Sequence, residues 1–131
     1  MDPQEFLAAG REFPPTPLDL SAESVQRYRD ATGDAVTPEH LVPPAAILAF
    51  SLQPLLSDLG LLSGAVHTGQ EMEMSRVVAI GEELTAAVKV ANASLRRGAV
   101  FAVVDQLIAD ESGATVMRGR SNVVVATEAG R

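Results

Sequence analysis

One acid and one imidazole stand close together ahead of a long apolar run. Asp34 and His40 fall within Gly33-Asp34-Ala35-Val36-Thr37-Pro38-Glu39-His40, which leads through Val42-Pro43-Pro44 into an apolar stretch from Ala45 to Leu59. A loop carboxylate and an imidazole at a helix entrance are the raw material for paired acid–base chemistry. The only other histidine is His67, and the chain has no cysteine, so thiol chemistry and disulfides are excluded and no set of structural zinc ligands is evident. Taken alone, these residues also have ordinary readings. Asp34 suits a turn that follows a glycine, and His40 suits a surface loop.

What must position them is a single domain of 131 residues, long enough to bury a core without metal or disulfide staples. Apolar residues make up 47% of it, yet there is one Tyr, four Phe and no Trp, so the core is expected to be aliphatic. The formal net charge of −7 argues against nucleic-acid binding, which needs a basic footprint. It leaves an anionic small molecule open, because local groups override the overall sign. The acidic start, Met1-Asp2-Pro3-Gln4-Glu5, carries no secretory signature. Ser51, Gln53, Pro54, Ser57 and Asp58 interrupt the longest apolar run, which therefore reads as a core helix and not a membrane span. Together with the missing cysteines, this points to a cytoplasmic protein.

Residues 1–17 read as an irregular segment, since Phe13-Pro14-Pro15-Thr16-Pro17 favours extended backbone. Leu18 and Leu20 are placed to pair onto a sheet edge. Ser21 is a good N-cap for a short helix with Val25, Tyr28 and Ala31 on its apolar face, and Gly33 ends it. The next helix is expected from about Pro44 to Leu59, apolar on nearly all sides and hence buried, with Pro54 placed to kink it. Strands follow. Val66 to Val78 has Met72 and Met74 opposite Glu71 and Glu73, with the methionines as core fillers. Leu84, Ala86, Val88 and Val90 alternate with Thr85, Ala87 and Lys89. Arg96-Arg97-Gly98 reads as a turn, Val100 to Ala109 as a dense apolar strand, Asp110-Glu111-Ser112-Gly113 as a turn, and Thr115 to Thr127 as the last strand. The tail 128–131 is expected to fray. The fold class is thus α+β, an antiparallel sheet wrapped around one long central helix.

Two stretches carry a family resemblance: Gly33-Asp34 through Pro38-Glu39-His40 to Val42-Pro43-Pro44, and Gly64-Ala65-Val66-His67-Thr68-Gly69-Gln70-Glu71-Met72-Glu73 with Arg76-Val77-Val78 and Gly81-Glu82-Glu83-Leu84. Over roughly Ser21 to Val125 the chain resembles the MaoC-like branch of the hot-dog superfamily, the acyl-thioester hydratases and dehydratases. It is most similar to the N-terminal, dehydratase-type half of their double-hot-dog members. Their signature is Gly-Asp-x-Asn-Pro-x-His, usually followed by x-Asp. Gly33, Asp34, Pro38 and His40 match it, with one extra residue in the loop, Thr37 in place of Asn, and Leu41-Val42 in place of the trailing acid. Each extended residue spans about 3.3–3.6 Å, so the insertion bears directly on how the pair is positioned.

The resemblance implies a hot-dog fold and a 2-enoyl or 3-hydroxyacyl thioester of coenzyme A or an acyl carrier protein as substrate, with no cofactor and no metal. It implies that Asp34 orients and deprotonates the water that attacks the β-carbon, while His40 shares that water and handles the proton at the α-carbon. Backbone N–H groups near Ala45 and Ala46, at the start of the central helix, would stabilise the thioester oxygen as the enolate forms. His67, on the face of Glu71 and Glu73 by alternation unless Gly69 introduces a bulge, reads as a strand-end or subunit-contact histidine. It is also the candidate to line a neighbouring subunit's pocket. Arg96, Arg97, Arg118 and Arg120 form the only basic grouping and read as solvated charge, with coenzyme A phosphates or an acidic carrier as the functional alternative.

The functions to weigh are therefore an enoyl-thioester hydratase or 3-hydroxyacyl-thioester dehydratase, and a non-catalytic hot-dog subunit that completes the substrate tunnel of a catalytic partner. A hot-dog thioesterase ranks last, because Asp58 is the only carboxylate on the central helix and lies at its far end. Either leading reading expects a homodimer or a heterodimer with a second hot-dog subunit, no nucleic acid and no membrane.

Overall fold

The computed structural model describes residues 7–59 and 66–127, and it describes side-chain surroundings for all of these except 56–59, 66 and 67. The order is β1 (Thr16–Pro17), α1 (Ala22–Thr32), α2 (Pro44–Leu59), β2 (Val66–Met74), β3 (Leu84–Arg96), β4 (Ala99–Asp110) and β5 (Thr115–Ala126). The strands form one antiparallel sheet in the order β1-β3-β4-β5-β2. The sheet's inner face carries α2, which is the arrangement the alternating strands and the apolar helix predict.

Local chemistry explains the boundaries. Ser21 caps α1 by accepting the Ser24 N–H at 3.2 Å, and Gly33 ends it with φ 73°, donating its N–H to the Arg29 carbonyl. The β3–β4 hairpin turns on Arg97 and Gly98, with φ 50° and 77°, the positive-φ pair of a type I′ connection. The β4–β5 turn is organised by Asp110, whose Oδ1 accepts from the Ser112 N–H and hydroxyl and from the Ala114 N–H.

Alternation holds along the sheet. Leu84, Ala86, Val88 and Val90 are buried on β3, Val100, Ala102, Val104 and Ile108 on β4, and Val123 and Val125 on β5. These side chains and α2 form two apolar clusters, one around Ile47, Leu48, Ile108 and Met117, the other around Leu52, Leu55, Val104 and Val123. Between them lies a buried polar bridge. Gln106 on β4 donates to Ser51 Oγ at 2.6 Å and to the Leu48 carbonyl at 3.2 Å, while Ser121 Oγ on β5 donates to Gln106 Oε1 at 2.6 Å.

Four features differ from expectation. The N-terminal segment is not irregular throughout. The N–H groups of Gly10, Phe13 and Leu18 donate to the carbonyls of Val90, Val88 and Leu84, so residues 10–18 run along the free edge of β3. Proline suits that place because an edge strand leaves half its N–H positions without a ladder partner. Residues 1–6 and the expected tail 128–131 lie outside the described residues.

The strand expected from Val66 to Val78 ends at Met74, and Val78 instead accepts the N–H of Val42 while Leu41 bridges Ala79. Met74 packs on the core, but Met72 is 41% exposed, since β2 is the sheet's outermost strand. Finally, α2 is not enclosed on all sides. Ala46, Ile47, Leu48, Ser51, Leu52 and Leu55 are buried, whereas Ala49, Gln53 and Pro54 are exposed and Phe50 is half-buried. A single sheet layer covers only one side of a helix.

Candidate functional site

The loop from Asp34 to Val42 joins the two helices, and its shape is set by hydrogen bonds to its own backbone and by one side chain of α1. Asp34 Oδ1 accepts the N–H groups of Val36 at 3.0 Å and Thr37 at 3.2 Å. These bonds close a tight turn of the kind aspartate favours. The Val36 N–H, then the Thr37 hydroxyl and N–H, and the nearby Arg29 charge hold the Asp34 carboxyl below its usual range. It is an anion across the neutral range. The turn reading of Asp34 holds, and it occupies Oδ1.

His40 is exposed and sits six residues on, where its carbonyl accepts the Ile80 N–H at 3.0 Å. With the Val42–Val78 bond, this ties the end of the loop to the segment before β3. No hydrogen bond joins the Asp34 and His40 side chains among the described residues.

Of the two backbone donors expected at the start of α2, one is already used. The N–H of Ala46 donates to the Pro43 carbonyl at 2.9 Å, because the helix begins with a tight first turn, so it is not free to meet a ligand oxygen. Ala45, the second residue of the helix, has no carbonyl four places back within it and carries the remaining first-turn N–H.

His67 lies at the start of β2. Alternation back from Glu71 would set it opposite Val124, but the register shifts between His67 and Gly69 and pairs its backbone with Val123. The regular alternation that related it to Glu71 and Glu73 is therefore interrupted by one residue.

The four arginines are not one grouping. Arg96 lies over the Phe101 ring at 5.7 Å and Arg97 is in the adjacent turn, while Arg120 forks onto Asp105 at 2.8 and 3.2 Å and Arg118 stands opposite Glu73 in the β2–β5 register. From Ala99 to Asp105 along β4 is about 20 Å, so the two pairs occupy different ends of the sheet.

Two further residues belong to the site, one that the sequence reading passed over and one that it took only as core. Arg29 is 8% exposed, and its guanidinium donates to the carbonyls of Thr37 and Pro38 at 2.8 Å and Leu41 at 2.6 Å. The signal for it was faint: an arginine in the last turn of a helix ordinarily reads as solvated charge near the negative end of the dipole. Tyr28, expected only as core, packs edge-on against Phe50 with centroids 6.0 Å apart. Its hydroxyl pKa is raised by burial and by the negative charge of Asp34, which sets it beside the loop.

Tyr28 and Phe50 also line a hollow of about 710 Å³ along the uncovered side of α2, with Leu18, Arg27, Gln53 and Pro54. A second hollow of about 750 Å³ lies over the sheet, between Phe13 and Pro15 of the N-terminal segment and β2, with Lys89, Arg118 and Arg120 among its charges. Neither includes Asp34 or His40 in its lining. Among the described residues no His, Cys, Asp and Glu cluster suits a metal ion, and no helix is long and apolar enough to cross a membrane.

An antiparallel sheet packed on one long helix is the hot-dog fold, and known structures share it. The MaoC-like dehydratase from Rhodospirillum rubrum superposes with a TM-score of 0.68 at 17% identity, covering 98% of this chain and 98% of that one. The HadBC (3R-hydroxyacyl-ACP dehydratase) complex from Mycobacterium tuberculosis gives 0.66 at 16%, covering 88% and 96%. The R-hydratase PhaJ1 from Pseudomonas aeruginosa gives 0.58 at 18%, covering 92% and 83%. At such identities the likeness establishes the fold. No curated protein matches the chain by sequence. Residues 5–119 match the family described as FAS1-like, dehydratase domain region, and the chain belongs to that family.

Proposed function

We propose that this chain is an enoyl-thioester hydratase, or a 3-hydroxyacyl-thioester dehydratase in the reverse direction, working on an acyl group carried by coenzyme A or an acyl carrier protein. The observation that carries the reading is the loop itself. Asp34 and His40 sit on one short segment fixed between α1 and the start of α2, and Asp34 acts electrostatically on Tyr28, which lines the hollow beside α2. In the hydration direction, the Asp34 carboxylate takes a proton from water as its oxygen bonds to the β-carbon. The negative charge passes to the thioester oxygen, facing the Ala45 N–H, and His40 delivers a proton to the α-carbon. The acyl chain would lie along Phe50, Leu18 and Pro54.

The working unit is a pair of hot-dog protomers, homo- or heterodimeric. Two features call for a second copy or partner: the exposed side of α2 and the outer edge of β2, which has no strand beside it among the described residues. His67, on that edge strand, is a candidate to reach a neighbouring subunit's pocket. A partner subunit would also cover His40.

A second reading has its own support. Asp34 Oδ1 is committed to the turn and no bond links it to His40, which suits a subunit that completes a partner's substrate tunnel without doing chemistry. Hydration of crotonyl-CoA and longer enoyl thioesters, assayed on the chain alone and with hot-dog subunits encoded beside it, separates the two. The enzyme reading expects turnover that Asp34→Asn and His40→Ala each reduce by about 10²-fold or more. Turnover indifferent to both substitutions transfers the chemistry to the partner.

A further inference from the structure

Arg29 is chemically out of place for a surface helix. It is 8% exposed, forms no ion pair among the described residues, and spends its guanidinium on main-chain oxygens alone. Burying a guanidinium without a carboxylate is costly unless its donors are met, and here the two terminal nitrogens are met by three carbonyls of one loop.

The choice of carbonyls matters more than their number. Thr37 and Pro38 precede Glu39-His40 and Leu41 follows it, so His40 is bracketed from both sides by bonds to one side chain. The main chain of the same residue holds the loop's other end, because the Arg29 carbonyl accepts the N–H of Gly33, directly before Asp34. Thr37 in turn donates to Asp34 Oδ1. A single residue therefore anchors the loop before Asp34, between Asp34 and His40, and after His40. A one-residue-longer loop would otherwise have more freedom to misplace both groups.

We propose that Arg29 is a positioning residue for the Asp34–His40 loop, fixing the two side chains relative to each other and to the start of α2. The proposal rests on the hydratase reading for its catalytic consequence, but not for its structural one. Lysine cannot replace it fully, since a single ammonium lacks the planar fork that spans separated carbonyls.

The test uses the full chain, with its hot-dog partner where one is needed for turnover, and the variants Arg29→Met and Arg29→Lys. Two readouts are taken: amide hydrogen exchange by mass spectrometry, and kcat and KM for crotonyl-CoA hydration. In Arg29→Met, exchange across residues 34–42 should accelerate about tenfold or more while β3, β4 and β5 keep their protection. The kcat should fall by about tenfold or more with KM changed less than about twofold, because ångström-scale misplacement acts on the chemical step. Arg29→Lys should fall between wild type and Arg29→Met in both readouts, and it serves alone if Arg29→Met does not fold.

The proposal is overturned if loop exchange matches wild type, or if loop and sheet amides accelerate together, which would make Arg29 a general stability residue. It is also overturned if Asp34→Asn lowers hydration by about 10²-fold while both Arg29 variants keep wild-type kcat. Accelerated loop exchange in the Arg29 variants, with no hydration by the wild type under any pairing, refutes the functional reading and leaves Arg29 as the loop's anchor.

Discussion

Gln106 Nε2 lies 2.6 Å from Ser51 Oγ, a hydrogen bond that ties the middle strand of the sheet to the buried side of α2. The pair sits where the two apolar clusters meet: Leu48 and Ile108 belong to one, Leu52 and Val104 to the other. Ser121 completes it from β5, and no buried side-chain donor or acceptor among the described residues lacks a partner. A satisfied polar group at one core position favours one helix register over its neighbours.

Gln106→Ala should therefore destabilise the protein by about 2–4 kcal/mol, combining a cavity with a stranded Ser121 hydroxyl. Urea unfolding at fixed protein concentration measures this. Gln106→Leu combined with Ser121→Ala removes the stranded group and should recover a large part of the loss.

Gly119 on β5 faces α2 so closely that an added Cβ would lie 2.5 Å from Leu48 Cδ2 and 3.0 Å from Cδ1. Gly119→Ala should cost about 1–3 kcal/mol from overpacking. Leu48→Ala costs stability by itself, but in the double variant the two losses should sum to less than their separate values, since the clash is gone. Additive losses would disprove the contact.

Arg97 holds φ 50° in the two-residue β3–β4 turn, a conformation that asparagine and glycine adopt more readily. Arg97→Asn should raise stability by about 0.5–1 kcal/mol in thermal or urea unfolding, without effect on hydration.

Asp34→Asn keeps an oxygen able to accept the Val36 and Thr37 N–H groups, so the turn should survive while the charge is lost. Turnover should then fall by about 10²-fold with the fold intact, and Asp34→Asn/His40→Ala should be little worse than either single change. The carboxyl titrates below its usual range in the folded protein, with the Val36 N–H the largest cause. Its contribution to stability is thus present above the unfolded value, near 3.8, and is lost as pH falls through the lower folded one. Unfolding profiles of wild type and Asp34→Asn should converge below that point. An acid limb in the rate profile near neutrality belongs to another group.

The amino-acid sequence by itself determined the elements. Ser21 and Gly33 bracket α1, Pro44 to Leu59 is apolar enough to form the helix that packs on the sheet, and the alternation from Leu84 to Val90 can bury only one side. It also determined that Asp34 and His40 share one loop. These are local properties, decided by spacing, caps and turn chemistry within a few residues.

Tertiary structure alone decided which polar residues go inside. Nothing in local pattern marks Arg29 or Gln106 as buried, because their acceptors lie up to 12 and 58 residues away in the chain. The slip between His67 and Gly69 and the seating of residues 10–18 on β3 are likewise invisible in local pattern. Strand register is a relation between two chain segments, and only their pairing fixes which residue of each stands opposite the other.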